Sequence, residues 1–259
     1  MKHHATLRQG FSLVEISVVL IIIALVVGGI MTGKHLLRAS QIRSVATEYQ
    51  LYRSASQQFI ETYKAHPGDF TQATDYWGSM TNCTGASPSG TGTQTCNGNG
   101  SRMIELPSAA GRVGESFTFW QHLSNAGLIT GRFTGKAGPG NLQEAILEVN
   151  IPDSKVTDAG WHVRLYGNAG DTTHFATQND NLFMYGRPTI YGTSWPALTP
   201  KEAWSIDTKL DDGLPGQGFV IAYLRDTCTN STSATDYAST YLLSETDVAC
   251  ALQFTGWDK

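Results

Sequence analysis

Gly10–Met31 reads GFSLVEISVVLIIIALVVGGIM, and the rest of the chain is organised around it. From Ile16 to Gly33 eighteen residues pass without a charge. That is the length a helix needs to cross a bilayer. Lipid offers the backbone no hydrogen-bond partners, so a helix is the single-segment solution. Glu15 stands at the start of this run. A carboxylate near hydrocarbon costs up to roughly 3 kcal/mol and is usually functional, so it needs a partner that neutralises it. A cleaved secretory signal would need a small-x-small site beyond the run. The sequence there, GGIMTGKHLL, offers only a poor one. A plain signal anchor accounts for the length, but not for Glu15 or for a short polar leader that ends in Gly10.

MKHHATLRQG followed by FSLVEISVVLIIIALVVGG resembles the leader and N-terminal helix of type IV pilins and type II secretion pseudopilins. The resemblance covers residues 1 to about 65. It implies cleavage after Gly10 by a membrane prepilin peptidase, with the new amine on Phe11 methylated by the same enzyme. It further implies that Glu15 pairs with the Phe11 amine of a neighbouring subunit during assembly. The physics is compatible: an α-amine has an unperturbed pKa of about 8, and a lone charge in an apolar bundle is costly where a paired one is tolerable. Glu15 would then set register between subunits and have no catalytic role. The implied partners are the peptidase, other pilin or pseudopilin subunits, an inner-membrane assembly platform and, before assembly, the lipid bilayer. The implied location is the bacterial inner membrane, single-pass with an extracytoplasmic C-terminal domain, and then a filament.

The chain has 259 residues, enough for one large ectodomain beside the helix. Only 15% of them are charged, which suits a loop-rich extracellular domain. With Lys2 and Arg8 gone, the formal charge of −4 becomes −6. No basic patch stands out, so nucleic acid is not indicated as a partner. Lys34, Arg38 and Arg43 follow the apolar run as Lys2 and Arg8 precede it, so flanking charge does not decide topology. Four cysteines, Cys83, Cys96, Cys228 and Cys250, read as disulfides in an oxidising compartment. Three connectivities are open, and the two sequence-local pairs are favoured. Each would stabilise by roughly 3 kcal/mol through loop closure. Zinc is the rival reading, but the chain has no C-x2-C pair.

Past the apolar run, Ile42, Val45, Tyr49, Tyr52, Ser56, Phe59 and Tyr63 recur in alternating steps of three and four, the seam of an amphipathic helix. Pro67-Gly68 ends it. One helix from about Phe11 to Ala65 would run about 80 Å. The competing reading is two helices broken at Gly28-Gly29 or Gly33. The expected organisation is a leader (1–10), a membrane and assembly half-helix (11–33), an amphipathic half-helix (34–66) and an ectodomain (67–259).

Residues 67 to about 114 read as irregular, with a low-complexity loop between Cys83 and Cys96. Phe117, Trp120, Leu123 and Leu128 mark a helix over 115–128 that ends at Asn125–Gly127. His122 lies on it with no second His or carboxylate at i+3 or i+4, so it reads as a structural or surface residue. AILEVNI (145–151), WHVRLY (161–166), NLFMYG (181–186), FVIAYLRD (219–226) and ACALQFTG (249–256) read as strands. The fold class expected is α+β and pilin-like, a long N-terminal helix packed on an antiparallel sheet with long loops.

Thr199-Pro200-Lys201-Glu202 is a helix start with a capping box. Asp207, Asp211 and Asp212 then cluster before Gly213, Pro215 and Gly216. Hard oxygen ligands on a tight turn suit calcium, and some pseudopilins carry a calcium loop. The spacing departs from an EF-hand, and a solvated acidic turn with Lys209 beside it is the alternative. No other cofactor is expected. The chain lacks HExxH, G-x-S-x-G, a P-loop and a dinucleotide fingerprint, and it reads as a non-enzyme. Two classes of function remain. One is a structural filament subunit, with the large ectodomain favouring a minor or specialised one. The other is a membrane-anchored extracytoplasmic binding module or adhesin that does not polymerise.

Overall fold

The computed structural model describes residues 12–85, 87–168 and 170–258. Gly10 and Phe11 lie outside them. The elements in chain order are α1 (Leu13–Tyr63), α2 (Ala73–Trp77), α3 (Glu115–Asn125), β1 (Gly160–Asn168), β2 (Thr177–Thr189), β3 (Gly192–Trp195), α4 (Pro200–Leu210), β4 (Val220–Ala222), α5 (Arg225–Cys228) and β5 (Leu252–Phe254). The class is α+β, with a long N-terminal helix and an antiparallel sheet. Two compact units divide the chain, Met1–Gln41 and Ile42–Lys259.

α1 is continuous for 51 residues through Gly28, Gly29 and Gly33. In its first unit the large apolar side chains from Leu13 to Met31 are all exposed. This is the one segment among the described residues that is long and apolar enough to cross a membrane. Its hydroxyls are satisfied within the helix: Ser17 Oγ donates to the Val14 carbonyl (2.8 Å) and Thr32 Oγ1 to the Gly28 carbonyl (3.0 Å). A polar group satisfied in this way costs little in lipid.

In the second unit the three-and-four spacing becomes a buried stripe: Ile42, Val45, Tyr49, Tyr52, Ser56 and Phe59 are all buried. The sheet they meet runs β1-β2-β5-β4, antiparallel throughout, with β3 pairing to β2 beyond that path. Register places Val163 opposite Phe183, and Phe183 and Val220 both opposite Phe254. Rings carry the contact between helix and sheet. Tyr49 stacks on Phe254 at 4.8 Å between centroids, and Tyr52 meets Trp161 edge-on at 5.8 Å. Such pairs add to the area they bury. A polar link fixes the same face: Glu48 Oε2 accepts from Trp161 Nε1 (2.8 Å), and Glu48 Oε1 accepts from the Lys155 N–H (3.0 Å).

α3 ends as its sequence predicts. Gly127 lies at φ 72°, the Leu128 N–H reaches the Leu123 carbonyl (3.0 Å) and the Gly127 N–H reaches that of Ser124 (3.0 Å). This is a Schellman closure. His122 belongs to the core: it is fully buried, with Phe59 and Trp77 against its ring. Its Nδ1 accepts the Gly68 N–H (3.0 Å), which leaves Nε2–H to donate to Thr95 Oγ1 (3.0 Å). Thr95 Oγ1 in turn donates to Gln121 Oε1 (2.7 Å). This chain ties the Cys83–Cys96 loop to α3.

Three expectations need correction. In ACALQFTG the strand is confined to Leu252–Phe254. AILEVNI is not a strand. Leu147 bridges Ile151 across a turn, with Glu148 at φ 59°. Asn150 explains it: Oδ1 accepts the Ile146 N–H (2.7 Å), and Nδ2 donates to the Lys136 and Glu144 carbonyls (3.0 and 2.9 Å). An Asn side chain that supplies backbone bonds favours a turn over a ladder. FVIAYLRD is half strand: β4 stops at Ala222, and Arg225 opens α5. There the buried Arg225 guanidinium donates to the carbonyls of Ser231, Asp171 and Thr172.

Candidate functional site

The first candidate is the start of α1. The Ser12 N–H donates to Glu15 Oε2 (2.7 Å), and the Glu15 N–H donates to Ser12 Oγ (3.2 Å). This reciprocal pair is a capping box, and it satisfies two helix-end donors at the edge of the apolar segment. Glu15 therefore has a partner inside its own chain. The signal is present in the sequence as S-x-x-E ahead of an apolar run. Gly28, Gly29 and Gly33 have open space where a side chain would stand. Nothing among the described residues crowds these three positions, although each glycine weakens a helix by up to about 1 kcal/mol.

The four cysteines form two disulfides, Cys83–Cys96 (Cα–Cα 5.7 Å) and Cys228–Cys250 (Cα–Cα 5.0 Å). Cys228 and Cys250 are buried and join α5 to the segment entering β5. Both bonds serve the fold.

The acidic turn is assembled as the sequence suggests. Thr199 and Glu202 form the capping box of α4, and carboxylate oxygens of Asp207, Asp211 and Asp212 lie within 4.8 Å of one another. Four of their six carboxylate oxygens accept hydrogen bonds. Asp207 is buried and accepts from the Gly213 N–H (3.0 Å) and from Tyr241 O–H (2.7 Å). Asp211 Oδ2 accepts from the N–H groups of Phe219 (2.5 Å) and Val220 (3.0 Å), and Asp212 Oδ1 from that of Leu214 (2.8 Å). Gly218 lies at φ 78°, where a Cβ would run into the Asp211 carboxylate. Burial pushes the Asp207 carboxyl up to about 7, and the neighbouring acids push it the same way against its two hydrogen bonds. The set has the donor chemistry of a calcium site. Its hydrogen bonds are those of an acidic turn closed largely by its own backbone.

One constellation was not anticipated. Asp69 and Glu115 are both buried, and residues 99–105 wrap around them. Asp69 accepts from the N–H groups of Gly100 (2.5 Å), Ser101 (3.2 Å) and Arg102 (2.6 Å), and Glu115 from those of Asn99 (3.0 Å) and Glu105 (3.0 Å). Burial pushes Glu115 up to about 7, opposed by its two N–H bonds and helped by Asp69. Only glycine fits at position 98, where a Cβ would strike the Asp69 backbone. In sequence this region is a low-complexity run, and nothing local marks Asp69 as its organiser. The pair does structural work, since it supplies acceptors to a loop with no ladder of its own.

Beside this loop lies an open cleft of about 490 Å³, lined by residues of the C-terminal end of α1, the following turn and Arg102. No protein-family model matches the chain, and no curated protein or solved structure matches it.

Proposed function

We propose that the protein is a structural subunit of a type IV pilus or type II secretion filament, a pilin, minor pilin or pseudopilin. In this reading a prepilin peptidase in the inner membrane cleaves after Gly10 and methylates Phe11. The chain waits in the bilayer with its ectodomain outside the cytoplasm. An assembly platform then moves it from lipid into a bundle of like helices.

The observation that carries the reading is the first unit of α1. It is an apolar helix with every large apolar side chain exposed and one carboxylate, Glu15, at its start. A contiguous apolar surface of this extent needs a cover of lipid or of other helices. Lipid alone leaves Glu15 and the three uncrowded glycines without a purpose. Packing against copies of the same helix gives both a use, because small residues let backbones approach closely. Cleavage after Gly10 would place a cationic amine one residue before Ser12, whose N–H Glu15 accepts. Within a bundle the carboxylate then has either its own or a neighbour's amine to neutralise.

Intact mass and N-terminal sequencing of protein from native membranes and from sheared filaments test this. A chain that begins at methylated Phe11 supports it. A chain that still begins at Met1, in cells with an active prepilin peptidase, makes the helix a plain anchor and favours the binding module that does not polymerise. A chain that begins beyond residue 30 would remove any role for Glu15.

A further inference from the structure

We propose that the cleft at the C-terminal end of α1 binds a small zwitterion, a ligand of amino-acid to dipeptide size that carries both a carboxylate and an ammonium group. The proposal does not depend on polymerisation. The cleft belongs wholly to the second unit, and its volume of about 490 Å³ lies in the range of small-molecule sites.

Its wall carries charge of both signs. Lys64 and Arg102 supply the donors. Both are exposed, and neither side chain meets a carboxylate among the described residues. Both are held at left-handed backbone angles, φ 55° and 66°. Such angles are uncommon for long side chains and mark a constrained backbone. Arg102 is fixed there by its own N–H on Asp69 (2.6 Å). Asp69, also in the wall, accepts three backbone N–H groups.

The opposite chemistry comes from α1. Glu61 lines the cleft on the last turn of the helix, where the terminal carbonyls add partial negative charge. Acidic and basic residues both line the cleft, so a ligand with both charges has a partner for each. His66 also lines the cleft; it is 6% exposed, and its Nδ1 is buried without a hydrogen-bond partner among the described residues. Ile60, Ala65 and Thr71 give the ligand body an apolar seat.

Ligand-observed saturation-transfer NMR on the full-length chain in detergent micelles tests the proposal. The probes are L-alanine, L-alanyl-L-alanine, acetate and ethylammonium. One of the two zwitterions is expected to bind saturably, at least about tenfold tighter than acetate or ethylammonium, as two charge-assisted contacts require. Arg102→Gln should weaken that binding about tenfold. Glu61→Gln decides the sign of the second contact. It should weaken the zwitterion, whereas a site for anions alone would bind acetate more tightly once Glu61 is neutral. Lys201→Gln, exposed and not among the residues lining the cleft, should change nothing, and an unchanged melting temperature in each variant shows that folding is intact. Binding of neither zwitterion, or equal binding by wild type and Arg102→Gln, overturns the proposal. So does a Glu61→Gln variant that gains affinity for acetate and keeps its affinity for the zwitterion.

Discussion

His122 makes the second unit, Ile42–Lys259, sensitive to acid, by an amount that follows from where it sits. Its ring is fully buried, and burial lowers its pKa from 6.5 to about 3. The hydrogen bonds say why the proton is refused. Nδ1 accepts the Gly68 N–H, and protonation would set two donors face to face. The unfolded chain has no such restriction. Between about pH 6.5 and pH 3 the unfolded state therefore binds more protons than the native one, and stability falls as pH falls through that window. At about pH 4.5 the separation is about two pH units, so the loss relative to neutral pH is about 3 kcal/mol. His162 is buried in the same way, its pKa also lowered to about 3 by burial and by Arg164. It adds a loss of its own. The perturbation is His122→Asn, whose Oδ1 can still take the Gly68 N–H but which does not titrate. The assay is urea unfolding followed by tryptophan fluorescence at about pH 7.5 and about pH 4.5, with linear extrapolation. At the higher pH the variant is less stable than wild type, because the ring contacts with Phe59 and Trp77 are gone. At the lower pH the gap should narrow by about 3 kcal/mol. A gap that stays the same at both pH values would refute the reasoning.

The carboxyl of Glu115 has the opposite sense. With its pKa raised to about 7 in the fold, it holds a proton that the unfolded chain gives up, so stability falls as pH rises from the ordinary carboxylate range to about 7. Glu115→Gln should flatten that part of a melting-temperature profile, and an unchanged slope would exclude Glu115 as its source. Glu48→Ala leaves the indole N–H of Trp161 buried without its acceptor and should cost about 2 kcal/mol, with Glu48→Gln costing less; calorimetric melting checks both. Replacing Cys83 and Cys96 together with serine should cost about 3 kcal/mol by the loop-closure argument. Limited proteolysis should then cut first between residues 83 and 96, and a first cut elsewhere would count against the disulfide as that loop's main restraint.

The reading of α1 needed no tertiary information. Its three-and-four seam, its lack of proline before Pro67 and its uncharged run from Ile16 are local patterns, and the helix that forms is continuous across them. The same holds for the Thr199–Glu202 capping box and the closure of α3 at Gly127, because a cap is made of residues a few positions apart. AILEVNI shows the limit of such patterns. Its alternation is that of a strand, yet Asn150 reaches back to Ile146 and out to Lys136 and Glu144, and the segment turns. β3 went unread because Gly192–Trp195 is too short to carry a period.

The candidate sites divide along the same line. Glu15, the four cysteines and the Asp207–Asp212 cluster could be picked out because rare residue types stand at informative spacings. Asp69 and Glu115 could not, since the five N–H donors that give them meaning come from a Gly- and Asn-rich run lying between them in sequence. The cleft was equally hidden: Glu61, Lys64 and Arg102 are ordinary surface charges until the loop on Asp69 brings Arg102 beside the end of α1. Sequence alone determined the helix, its apolar and amphipathic halves, its caps and the α+β class, because each rests on periodicity or on contacts between near neighbours. The tertiary structure alone decided strand order, the cysteine pairing, the burial of His122 and the meeting of opposite charges at the cleft. These depend on which distant segments share a surface, and that is settled by packing the core as a whole.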